Sequence, residues 1–139
     1  MTYALGESLQ MAVYGRLAAD PALDALVGGA VYDAVPQVAS DLFVALGHED
    51  ARGRSDASGQ GAVHDLRISV VTRRESFLSA KAAAAAVSDA LLSGTLAMTR
   101  GRVVSIRFLR ARARRDEGED TRRIDLWFRA RTDESPMTE

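Results

Sequence analysis

Among the residues of this 139-residue chain that could do chemistry, the two histidines come first, because His48 and His64 lie among Glu49, Asp50 and Asp65. A metal site needs imidazole and carboxylate ligands at recurring spacings, and these five residues match none of the known ligand patterns. They read as the solvated edges of a loop. A serine hydrolase needs its nucleophile on a tight strand-to-helix elbow, whereas Ser55 and Ser58 lie among loop formers without the G-x-S-x-G spacing. Gly59-Gln60-Gly61 precedes a strand, and a phosphate-cradling loop must instead follow a strand and open a helix. The pair Glu119-Asp120 sits in a charged turn, where solvation explains it better than general acid and base catalysis. Cysteine is absent, which removes thiolate nucleophiles, zinc-thiolate sites and disulfides together. No catalytic residue, cofactor site or metal site is expected.

Arginine supplies the strongest remaining signal. Arg110, Arg112, Arg114, Arg115, Arg122, Arg123, Arg129 and Arg131 fall on two predicted neighbouring strands, and such a face could hold phosphate through charge. Two observations weigh against nucleic acid. Lys81 is the one lysine among 18 basic residues and asparagine is absent, which is the mark of a GC-rich coding sequence. Asp116, Glu117, Glu119, Asp120 and Asp125 also lie among the arginines, which favours cross-strand pairing or a protein interface. Trp127, the sole tryptophan, points outward beside Arg129 by the alternation of its strand, as an interface hot spot would, or as a ring shielded by a cation. The candidate interface residues are Arg52, Arg54, Asp56, Arg110, Arg112, Arg114, Arg123, Trp127 and Arg129.

The elements that position these residues follow from periodicity. Leu5, Leu9, Val13 and Leu17 recur every fourth residue and predict an amphipathic helix that ends before Asp20-Pro21. Asp20 can cap a second short turn with Pro21 at its first position, stopped by Gly28-Gly29. Val31 to Pro36 reads as extended chain or a turn. Leu42 to Leu46 is an apolar run of strand length, and residues 48–62 are rich in turn formers and predict a long mobile loop that orders against a neighbour. Leu66, Ile68 and Val70 alternate as a half-buried strand. A second long helix follows Ser76 through the alanine run Ala82 to Ala86 and ends near Gly94.

Val104, Ile106 and Phe108 alternate, yet Arg110, Arg112 and Arg114 continue in the same phase, so a bulge is expected near Leu109. The last strand turns Ile124, Leu126, Phe128 and Ala130 inward. The chain is therefore expected to form one α+β domain over residues 1–131, with an antiparallel sheet of about four strands and two helices packed on one face. Residues 132–139 are expected to form a flexible tail.

Apolar residues make up 47% and charged residues 27%, the composition of an ordinary globular domain. The formal net charge of −1 is unevenly spread, with nine acids against three bases in residues 1–65 and fifteen bases against ten acids beyond. That split favours head-to-tail self-association. Residues 1–7 show neither a basic start nor an apolar run, so a signal peptide, a membrane span and a membrane partner are not expected.

Read as a whole, the chain resembles the tail-terminator, or tail-completion, family of long-tailed phages and gene transfer agents. The resemblance rests on Leu9-Gln10-Met11-Ala12-Val13-Tyr14, Asp20-Pro21-Ala22-Leu23, Leu26-Val27-Gly28-Gly29, Val31 to Gln37 and Phe43-Val44-Ala45-Leu46-Gly47. It continues through Ala90-Leu91-Leu92, Val104-Ser105-Ile106-Arg107-Phe108, Thr121-Arg122-Arg123 and Phe128-Arg129-Ala130, which together span nearly the whole chain. What the resemblance implies is a hexameric ring of identical subunits that binds the last ring of the tail tube protein, halts its growth, and offers its other side to the head-tail connector or stopper. DNA would pass through such a ring without sequence-specific binding, and the subunit would be cytoplasmic during assembly and then part of the particle. Another head-completion subunit, or a nucleic-acid-binding module using the arginine strands, are the alternatives.

Overall fold

The computed structural model describes residues 3–53 and 61–134. Helix α1 spans Gly6–Ala18 and buries Leu9, Val13 and Leu17, with Leu5 buried just before it. Helix α2 spans Pro21–Val27, where Asp20 accepts a hydrogen bond from the Leu23 amide at 2.9 Å and Pro21 opens the helix. Proline at that point costs no hydrogen bond, because the first amides of a helix have no partner within it. Gly28 closes α2 in the left-handed conformation at φ 61°, returning its amide to the Asp24 carbonyl.

Five strands follow: β1 (Val31–Tyr32), β2 (Leu42–Gly53), β3 (Gly61–Thr72), β4 (Arg102–Asp116) and β5 (Thr121–Asp133), with helix α3 (Leu78–Leu92) between β3 and β4. Their order in the sheet is β1-β2-β3-β5-β4. All neighbours are antiparallel except β1, which runs parallel to β2 through the pairs Val31–Val44 and Tyr32–Ala45.

The residues that share a core with the helices are Leu42 and Val44 from β2, Ile68 and Val70 from β3, and Ile124, Leu126, Phe128 and Ala130 from β5. Every second residue of each strand takes part, so one face of the sheet carries the three helices and the other carries none. Helix α3 meets this face with Ala80, Ala83, Ala84, Val87, Ala90 and Leu91, whose short side chains allow close packing. Full burial of a side chain such as Leu9, Leu17 or Phe128 stabilises the fold by about 1.5–3 kcal/mol. No helix of the described residues is long and apolar enough to cross a membrane.

The α+β class stands, with differences from the expected layout. The sheet has a fifth strand, because Val31-Tyr32 finds a partner in β2 that two residues of local sequence cannot advertise. A third helix is present because the capped turn after Asp20 completes seven residues. The loop expected over residues 48–62 is largely sheet: β2 runs to Gly53 and β3 begins at Gly61. Residues 54–60 of that stretch lie outside the described residues. Strand β5 continues through Asp133, beyond the expected domain end at 131.

His64 also departs from expectation. It is buried, with Nδ1 donating to the Glu49 carboxylate at 2.7 Å and Nε2 sharing a hydrogen bond with the Thr132 hydroxyl at 3.1 Å. The Tyr3 hydroxyl donates to the other oxygen of Glu49, so one carboxylate ties the segment before α1 to β2, β3 and β5. Burial pushes the Glu49 carboxyl up, but the hydrogen bonds from His64 and Tyr3 outweigh it and hold the group below its ordinary value. The same contact with Glu49 pushes the Tyr3 phenol up to about 12.

Gly101 enters β4 at φ 68°, where an added Cβ would sit 2.8 Å from the Leu5 side chain and 2.9 Å from the Asp133 carbonyl. Gly15, on the exposed side of α1, has nothing within 4 Å of that position. Gly101→Ala is therefore expected to destabilise by about 2 kcal/mol, and Gly15→Ala to stabilise by roughly 0.5–1 kcal/mol. Urea unfolding of the two variants checks both signs.

Candidate assembly surface

The helix-free face of the sheet is built mainly by the β4–β5 hairpin. Two bulges in β4 decide which side chains reach it, since Val104 and Leu109 have no partner in β5 while the residues around them do. Before Leu109, Phe108 lies on the helix face and packs edge-on against Phe128, with centroids 5.8 Å apart. After Leu109 the phase is inverted. Ala111 and Ala113 take the helix face, opposite Leu126 and Ile124, and Arg110, Arg112 and Arg114 move to the open face, opposite Trp127, Asp125 and Arg123. One extra residue thus turns three guanidinium groups to the open face.

Part of this face is satisfied internally. Arg129 grips Asp65 with two nitrogens at 2.7 and 3.0 Å, and Arg52 approaches the same carboxylate at 3.5 Å. Hydrogen bonds and charge from Arg129 hold the Asp65 carboxyl below its ordinary value. Asp125 and Ser69 are buried beside them, with the Ser69 hydroxyl donating to Asp125 at 2.6 Å and Arg123 donating to both at 3.0 and 3.1 Å. Burial pushes the Asp125 carboxyl up, yet Ser69 and Arg123 together bring it below its ordinary value. The Arg110 guanidinium lies 3.9 Å from the centre of the half-buried Trp127 ring, a cation–π contact.

The rest of the charge is uncompensated. Arg107, Arg112, Arg114 and Arg131 are exposed, and none has an ion pair or side-chain hydrogen bond among the described residues. Because Asp65 and Asp125 are already occupied, the face keeps an excess of positive charge.

Of the residues singled out from sequence, Arg52, Arg110, Arg112, Arg114, Arg123, Trp127 and Arg129 share this face. Arg54 and Asp56 lie outside the described residues. Arg52, Arg123 and Arg129 serve internal pairs and Arg110 lies over Trp127, which leaves Arg112 and Arg114 as the free cations among the described residues of the set. Arg107 was missed, since simple alternation puts it out of phase with Arg110 until the Leu109 bulge brings both to one face.

A second surface feature was also missed. Along the exposed side of α1, Tyr3, Glu7, Gln10, Met11, Tyr14 and Asp33 line an open groove of about 660 Å³. Its helical spacing was legible, but Asp33 comes from beyond β1 and is fixed by a hydrogen bond from Gln10. Elsewhere, a cavity of about 30 Å³ at the β2 bulge has room for about one water molecule. The described residues hold no group of three or more His, Cys, Asp or Glu side chains that could bind a metal.

Asp65 and Asp125 both have depressed values, so the stability they add is present at neutral pH and is lost as pH falls through the acid range, below about pH 4. Asp125→Asn should cost about 1–3 kcal/mol at pH 7 and flatten that acid limb, as thermal melts between neutral and acid pH would show.

Among curated proteins nothing matches. Among solved structures, a chain in the virion of a native gene transfer agent particle is 56% identical, with a TM-score of 0.88 over 95% of this chain and 99% of that one. Residues 11–133 match the family described as tail completion protein gp17. With the second half of α1, the whole sheet and α3 inside that match, the chain belongs to the gp17 tail completion family.

Proposed function

We propose that this chain is a structural subunit of a phage-like or gene transfer agent particle, forming a ring at the head-proximal end of the tail tube. The ring ends tube growth and joins the tail to the head connector. Membership of the tail completion family and a 56% identical relative in a gene transfer agent virion support a place in the tail. The observation that carries the reading is chemical. The described residues present an open, cationic sheet face and a surface groove of about 660 Å³ along α1. Such surfaces recognise other macromolecules, and the proposed role is accordingly non-catalytic.

The partners in this reading are further copies of the chain in a hexamer, the tail tube protein on one side and the connector or stopper on the other. DNA crosses the ring without being read. Cells that make the particle but lack this chain should accumulate tubes of uncontrolled length and unattached heads, with whole particles restored when the chain is supplied. Electron microscopy of the two lysates checks this, and head-joined tails of normal length without the chain would contradict it.

A further inference from the structure

Two surface features are unsatisfied within the subunit, and their chemistries are opposite. The α1 groove presents the carboxylates of Glu7 and Asp33, neither of which has a cationic partner among the described residues. Between them the groove exposes Tyr3, Met11 and Tyr14, which are 62%, 57% and 38% accessible. Aromatic rings and a thioether beside carboxylates form a receptor for a guanidinium group, which gains cation–π, dispersion and charge-assisted contacts together.

Edge strand β4 presents the converse. Arg107, Arg112 and Arg114 stand on its open face without an ion pair among the described residues. Two bulges and a row of arginines block strand-to-strand pairing at this edge, so it offers side chains to a partner and withholds its backbone.

Placement in the fold matters as much as chemistry. Asp33 directly follows β1 at one edge of the sheet, and β4 is the opposite edge. Complementary patches on opposite sides of one subunit form a heterologous contact, which closes into a ring when the rotation between copies permits.

We infer that the α1 groove of one copy receives the arginine strand β4 of the next copy, with Glu7 and Asp33 facing Arg112 and Arg114. The inference rests on the ring proposed above and names the surfaces that would close it. A second copy is favoured over a nucleic-acid partner because the receptor and its ligand are both found on this chain. The rings and thioether of the groove suit a guanidinium group, which only a protein partner brings.

The test is charge reversal in particle-producing cells that carry the chain as their only copy. One variant reverses the groove (Glu7→Arg with Asp33→Arg), a second reverses the strand (Arg112→Glu with Arg114→Glu), and a third combines all four changes. All replaced side chains are exposed, so circular dichroism should show folded protein in each case. Like charges across the contact should cut the fraction of head-joined tails about tenfold or more in either single reversal. The fourfold variant, whose groove and strand are again complementary, should recover most of it. Normal joining in either single reversal would overturn the interface while leaving the ring reading intact. So would a fourfold variant no better than the strand reversal, and salt-sensitive duplex DNA binding lost with Arg112 and Arg114 would then assign the strand to phosphate. Normal joining without the chain would defeat the ring reading itself.

Discussion

The constraint from which the rest of the structure follows is the two-residue period of the extended chain, which lets one strand serve a dry face and a charged face at once. In β5, Ile124, Leu126, Phe128 and Ala130 lie in the helix-covered core while Arg123, Asp125, Trp127, Arg129 and Arg131 line the other side. A slip of one residue would bury guanidinium groups against alanine. Strand β4 cannot keep this phase over its full length, and the extra residue at Leu109 resets it. That bulge is where the folding problem and the surface chemistry meet.

From this follows a division of labour among the arginines. Arg123 and Arg129 hold Asp125 and Asp65, and Arg110 lies over Trp127, so these three finish the sheet's own surface. Such contacts stiffen the open face without a covering layer. Arg107, Arg112 and Arg114 remain unpaired among the described residues, and a row of unpaired cations on an edge strand discourages unplanned sheet extension as well as favouring an acidic partner. The helix side has the complementary arrangement, with Glu7 and Asp33 on the rim of the α1 groove.

Where apolar periodicity carried the signal, the sequence was informative. Leu5, Leu9, Val13 and Leu17 marked α1, Asp20-Pro21 and Gly28 marked both ends of α2, and the phase conflict between Phe108 and Arg110 marked the Leu109 bulge. Residues stabilised by distant partners were not legible. Glu49 to Gly53 look like loop because they bring no large apolar side chain, yet they pair in register with Ala62 to Leu66. His64 reads as a solvated residue in the sequence because nothing local shows that Glu49 and Thr132 will enclose it. Ser69 and Asp125 lie 56 residues apart and are satisfied only once β3 and β5 are neighbours. The arginine face was readable as a composition, but which arginines stay free depends on those cross-strand pairs.

A three-dimensional reconstruction of the tail end of intact particles by electron cryomicroscopy tests the account most directly. It should show copies of this chain repeated around the tail axis between tube and head, each with β4 lying against α1 of its neighbour. A single copy, a position within the tube wall, or β4 arginines facing open solvent in every copy would contradict it.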